Sequence, residues 1–132
     1  KVLDVGTGSG YQAAILAELG AEVFSIERNP LLAKQAENHL NQLGYQNIHV
    51  CVGDGTQGLE EFAPYERILV AAAAPKVPEP LLDQLADWGR LVIPVGGRFA
   101  QTLEIWVKQE SGFQRIQDTG VIFVPLVGKH GW

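Results

Sequence analysis

The stretch Val2-Leu-Asp-Val-Gly6-Thr-Gly8-Ser-Gly10 leaves this chain few folds to choose from. Val2, Leu3 and Val5 form a short apolar run that reads as a buried strand. The glycines break it, and Tyr11 to Leu19 reads as a helix. Strand, glycine turn and helix bring backbone N–H groups and a helix N-terminus close to one point, where a ligand can approach. Gly6, Gly8 and Gly10 remove the Cβ atoms that would block that approach. The spacing is G-x-G-x-G, whereas a dinucleotide fingerprint is G-x-G-x-x-G and would need its third glycine at Tyr11.

Downstream, strand and helix signals alternate. Gly20 suits a helix stop, and Ala21 to Ile26 reads as a second strand ending at Glu27-Arg28. Asn29-Pro30 pairs an N-cap residue with proline at the first helical position. Leu32, Ala36, Leu40 and Leu43 then recur at helical spacing up to Gly44. Asn47 to Val52 predicts a third strand before Gly53-Asp54-Gly55, with a helical turn over Gly58 to Phe62. Arg67 to Ala73 is nearly all apolar, as a central parallel strand is. A proline-rich loop from Ala74 leads into a helix over Pro80 to Ala86, then a fifth strand over Gly89 to Val95. Thr102 to Lys108 and Phe113 to Val124 predict a final pair joined by a turn at Gln109–Gly112. There is no repeat, linker or low-complexity segment.

This order predicts an α/β fold: a Rossmann-like, doubly wound, mainly parallel seven-stranded sheet, with residues 1–132 forming a single domain. The crossover from the third strand to the fourth reverses the winding beside the first strand. Ligands in such sheets bind at the carboxyl ends of the strands near that reversal. The glycine loop, Glu27, Asp54 and Ala72–Pro75 all lie at carboxyl ends and are expected to converge there. Glu27 sits at the distance expected of an acid that accepts two ribose hydroxyls. Asp54 could accept from an adenine amino group, or serve as an ordinary turn aspartate. Asp4 lies inside the first strand, where an acid needs a partner: a ligand ammonium, or the loop itself. S-adenosylmethionine offers adenine, ribose, ammonium and carboxylate without a phosphate, and suits these positions. A Rossmann NAD site is the alternative reading of the same residues.

Composition excludes other classes. The chain has 132 residues, 46% of them hydrophobic, and a net charge of −5, so no basic surface points to nucleic acid. No apolar run reaches the roughly 20 residues of a membrane span, and no signal-peptide pattern opens the sequence. Its one cysteine, Cys51, suits a reducing compartment, and a cytoplasmic location is expected. His39, His49 and His130 are scattered singly, so no metal site is expected.

Several segments together carry a resemblance. They are Val2-Leu-Asp-Val-Gly-Thr-Gly-Ser-Gly-Tyr-Gln12, Ser25-Ile-Glu-Arg28, Val52-Gly-Asp-Gly55, Ala63-Pro-Tyr65 and Ala72-Ala-Ala-Pro75. Further along come Leu81-Leu-Asp-Gln-Leu85, Gly89-Arg-Leu-Val-Ile-Pro-Val-Gly96 and Phe123-Val-Pro-Leu126. In this order they resemble the protein-L-isoaspartate O-methyltransferases, up to about Gly128. The glycine loop is general to S-adenosylmethionine methyltransferases, whereas the Ala-Ala-Ala-Pro, Leu-Val-Ile-Pro-Val-Gly and Phe-Val-Pro-Leu blocks are specific to the family.

The resemblance implies methyl transfer from S-adenosylmethionine, with S-adenosylhomocysteine as product, to the α-carboxylate of L-isoaspartyl residues in damaged proteins and peptides. It implies a donor site of Asp4, Gly6, Thr7, Gly8, Ser9, Gly10, Glu27, Arg28, Asp54 and Gly55. Ala73, Ala74, Pro75, Val124, Pro125 and Leu126 are implied near the acceptor. Family members also carry an N-terminal region with a Thr-Ile-Ser-type segment whose hydroxyl contacts donor and acceptor. This sequence has no counterpart, so no catalytic residue is assigned, and the chain is expected to be part of a longer protein. Uncovered apolar surface is then expected to promote self-association. Two other readings remain: a class I methyltransferase with another acceptor, and a catalytically incomplete core that binds a nucleoside or a protein partner.

Overall fold

A computed structural model describes all of residues 1–132. Seven strands form one sheet: β1 (Val2–Val5), β2 (Val23–Glu27), β3 (Ile48–Val52), β4 (Tyr65–Val70), β5 (Leu85–Gly96), β6 (Gln101–Gln109) and β7 (Gly112–Val121). Their order is β3-β2-β1-β4-β5-β6-β7. The first five are mutually parallel, β6 is antiparallel to both neighbours, and the winding reverses between β1 and β4 as expected.

Helix α1 (Tyr11–Glu18) and helix α2 (Pro30–Gln42) pack against β1–β3. Gln12 of α1 reaches Asp4, whose neighbour in register on β2 is Ser25. Phe24, one residue before Ser25, therefore points to the opposite face, where Phe62 stacks on it at 4.5 Å. That second face carries the main core, in which Leu81 and Leu82 of α3 (Glu79–Asp83) join Leu3, Val5, Ile68, Leu91 and Ile93.

The Asn29-Pro30 signal is realised in full: the Asn29 side chain accepts from the N–H groups of Leu31 and Leu32, with Pro30 opening the helix. The buried stripe of α2 is Ala33, Ala36 and Leu40, while Leu32 and Leu43 of the expected stripe are 41% and 62% exposed. The helix turns its two alanines to the sheet, which lets it lie close, and leaves the leucines in its first turn and at its C-cap to the rim.

The other differences lie at element ends. The expected turn over Gly58 to Phe62 is two 3₁₀ turns, Gly55–Gln57 and Glu60–Phe62, and α3 ends at Asp83. β5 begins earlier than its apolar run, because Leu85 pairs with Tyr65 before a bulge restores the register at Arg67 and Arg90. β4 and β7 both stop short of their expected ends. Beyond Val70 the regular ladder ends, although Ala71 still bonds Val5 and Ala74 pairs with Val95, and beyond Val121 the C-terminal segment leaves β7. The two departing segments meet: Ala73 N–H donates to Val124 O and Leu126 N–H to Ala73 O, each at 2.7 Å. That pairing builds one wall of the site.

Candidate functional site

The glycine loop leaves β1 with positive φ at Gly6, Gly8 and Gly10, of 94°, 53° and 89°. Gly10 is also pressed against α2: a Cβ there would lie 3.1 Å from a methyl of Leu40. All three glycine N–H groups are engaged within the protein. Gly6 donates to Ile26 O, Gly10 to Thr7 O, and Gly8 to Glu27 Oε1 at 3.0 Å. The other Glu27 oxygen accepts from Asn29 N–H at 2.9 Å. A loop whose glycine amides are taken, with a carboxylate beside it, is a poor cradle for a pyrophosphate, and this argues against the dinucleotide reading.

Asp4 has no exposed surface. Its oxygens accept from Gln12 Nε2 and from the Ser25 hydroxyl, each at 2.7 Å. Because the Ser25 hydroxyl donates to Asp4, it accepts from Thr7 Oγ1 at 2.5 Å. One buried chain thus ties the loop, β2 and α1 to β1. Burial pushes the Asp4 carboxyl above its usual value, the bonds from Ser25 and Gln12 pull it back, and the Glu27 charge adds to the rise.

Asp54 caps the first 3₁₀ turn. Its Oδ1 accepts from the Thr56 N–H and hydroxyl, and its Oδ2 from Gln57 Nε2 and Lys129 N–H. Burial pushes its carboxyl up, but the bonds from Lys129, Thr56 and Gln57 outweigh that and hold it below the usual carboxylate value.

A cleft of about 610 Å³ opens at the reversal between β1 and β4, within the roughly 300–1,000 Å³ typical of small-molecule sites. Of the residues expected from the sequence, Gly6, Gly8, Glu27, Arg28, Gly55, Val124, Pro125 and Leu126 line it. Asp4, Thr7, Ser9, Gly10 and Asp54 do not; Asp4, Thr7 and Gly10 are buried. Ala73 and Ala74 are 1% and 0% exposed, their backbones spent on Val124, Leu126, Pro94 and Gly96, and Pro75 lies outside the lining. Ala73 and Ala74 are therefore buried in the wall without lining the cavity, and Pro75 is exposed outside it.

The lining also holds Val5, Ile26, Asn29, Pro30, Ala71, Ala72 and Val127. The sequence marked Asn29 and Pro30 only as a helix start and Ala71 only as strand, whereas Ala72 was among the residues expected at the cleft. Their position just past strand ends at the reversal was the signal available. The cleft combines an apolar wall of Val5, Ile26 and Leu126 with one carboxylate, Glu27, and one cation, Arg28.

The sequence profile described as protein-L-isoaspartate(D-aspartate) O-methyltransferase matches residues 1–131. The chain belongs to that family. It is 58% identical over its whole length to protein-L-isoaspartate O-methyltransferase 1 of Syntrophobacter fumaroxidans, covering 62% of that protein. It is 54% identical to the Methanoculleus marisnigri enzyme, again over its whole length, covering 60% of it. The chain thus spans about three fifths of the length of these relatives. Its fold is similar to a solved protein-L-isoaspartate O-methyltransferase, with a TM-score of 0.89 and 29% identity over 98% of this chain and 43% of that one. A Plasmodium falciparum structure in complex with S-adenosyl-L-homocysteine, described as a beta-aspartate methyltransferase, has a TM-score of 0.77 at 27% identity, covering 96% of this chain and 65% of that one. This likeness bears out the Rossmann-like class I methyltransferase fold expected from the sequence.

The Asp4 network sets a testable pH dependence. A group whose pKa is raised by folding favours the fold most below its ordinary value, here 3.8, and that contribution is lost as pH rises through the folded value. Ser25→Ala removes a donor to the charged form and raises Asp4 further. The expected cost is about 1.5–3 kcal/mol at neutral pH, and smaller near pH 4 (roughly the ordinary carboxylate value), measured by urea unfolding at both. An equal loss at the two values would show that the Ser25 bond does not support a charged Asp4.

Proposed function

We propose that the protein to which this chain belongs transfers a methyl group from S-adenosylmethionine to the free α-carboxylate of L-isoaspartyl residues in damaged proteins and peptides. The observation that carries the donor half is Glu27 at the mouth of a cleft whose glycine amides are already bonded, in a chain of this family. Such a site suits a nucleoside without phosphates. Each Glu27 oxygen accepts one backbone N–H, and a carboxylate oxygen has a second acceptor position free for a ribose hydroxyl. Val5, Ile26 and Leu126 offer an apolar wall for a purine.

S-adenosylmethionine, when bound, supplies an electrophilic methyl on a sulfonium. The acceptor carboxylate is ionised at neutral pH and needs no general base. The work left to the protein is alignment and exclusion of water, for which the Val124–Leu126 wall is suited. A cytoplasmic site of action fits a single, half-buried free thiol at Cys51.

Calorimetric titration with S-adenosylhomocysteine tests the donor site, and an isoaspartyl peptide then tests the acceptor. Glu27→Ala is expected to weaken binding tenfold or more, the loss of a charged hydrogen-bond acceptor being worth about 1.5–3 kcal/mol. Equal binding by both forms would remove Glu27 from the ribose site. We further propose that this chain self-associates through the sheet face that carries α1, where half-exposed Leu69, Val92 and Ile105 share one register row. Sedimentation should show mass rising with concentration, and a constant monomer mass would refute it.

A further inference from the structure

In the Leu81-Leu-Asp-Gln-Leu85 block the three leucines belong to the core and Asp83 faces outward, which leaves Gln84 as a buried polar residue, 7% exposed. Its backbone is spent on local structure. The N–H closes the end of α3 onto Pro80 O at 3.2 Å, and the C=O accepts from Tyr65 N–H at 2.9 Å, where β4 begins. The side chain reaches elsewhere: Oε1 accepts from Leu59 N–H and Nε2 donates to Gln57 O, each at 2.9 Å. A primary amide is planar and carries a donor and an acceptor side by side. The two bonds therefore clamp the backbone of residues 57–59 in one orientation.

The clamped segment is shaped to fit. Gly58, between the two bonded residues, has a φ of 66°, and a Cβ on it would lie 2.2 Å from Gln84 Oε1. Leu59 O accepts in turn from the hydroxyl of Tyr65, which has no exposed surface. The same residues close the turn that starts at Asp54. Gln57 N–H donates to Asp54 O at 3.0 Å, Gly58 N–H to Gly55 O at 3.1 Å, and Gln57 Nε2 to Asp54 Oδ2 at 3.2 Å. That turn carries Gly55 of the cleft lining and Asp54, the acid expected from the sequence to meet the base.

We infer that Gln84 is a positioning residue for the donor site: it reaches from the end of α3 and fixes the turn after β3 in the orientation that receives the ligand. This rests on the cleft being the donor site proposed above. Gln84 is not part of the cleft lining and acts on the ligand only through residues 54–59.

Two variants test the clamp. Gln84→Ala removes both bonds, whereas Gln84→Glu keeps the shape and, when ionised, loses only the donor to Gln57 O. In both at neutral pH, amide exchange at Leu59 should speed up roughly tenfold or more while β1 amides keep their protection. Calorimetric affinity for S-adenosylhomocysteine should fall about fivefold or more. Acid should reverse the loss in Gln84→Glu alone, because burial raises the introduced carboxyl and its protonated form again donates to Gln57 O while accepting from Leu59 N–H. Glu60, Asp83 and His130 line the same hollow as Gln84 and titrate too, so each variant is read against the wild type at the same pH. Going from about pH 8 to about pH 5, Gln84→Glu should return to within about twofold of wild-type affinity, and Gln84→Ala should not. Unchanged exchange at Leu59 would overturn the clamp. Wild-type affinity in folded variants that have lost only stability, or a Gln84→Glu deficit that is the same at both pH values, would overturn the positioning role. If the wild type does not bind S-adenosylhomocysteine, the donor-site reading fails, and exchange at Leu59 still decides whether Gln84 holds the turn.

Discussion

The fold turns on a carboxylate with no access to water. Asp4 stands within β1, an interior strand of the sheet, and a buried charge there is tolerable only if its oxygens are bonded. The groups that bond it come from three elements: Gln12 from α1, Ser25 from β2, and through Ser25 the Thr7 hydroxyl of the glycine loop. Satisfying Asp4 therefore sets the position of β2, the start of α1 and the path of the loop together. Glu27, two residues beyond Ser25, then meets Gly8 and the start of α2. The cleft inherits its geometry from this chain of bonds.

The three acids that the sequence placed near the ligand have different tasks. Asp4 organises the loop from a buried position, Glu27 faces the cleft while bracing the loop, and Asp54 caps the turn after β3. Each sits near the carboxyl end of a parallel strand, which is why sequence position alone could not tell them apart. The distinction lies in their partners, and for Asp54 those include the Lys129 amide, 75 residues away.

What was legible in the sequence was whatever local chemistry decides. The G-x-G-x-G loop required backbone conformations open to glycine, Asn29-Pro30 required a helix start, and the Gln109–Gly112 turn required a hairpin; all three stand as read. What was not legible was tertiary choice. Ala71–Ala74 and Ile122–Val124 are apolar enough to extend their strands, and nothing local shows that Ala73 bonds Val124 and Leu126 instead. The same limit hid Ala71 and Val127 in the lining, while Ala73 and Ala74, expected near the acceptor, are buried beside it.

The claim that this cleft is the nucleoside site is tested most directly by amide NMR of the chain titrated with S-adenosylhomocysteine. The account predicts shifts concentrated at Gly6, Gly8, Glu27, Gly55, Val124, Leu126 and Val127, with the outer strands β6 and β7 unmoved. Saturable shifts centred elsewhere, for example on the polar hollow lined by Glu60, Asp83 and His130, would contradict it.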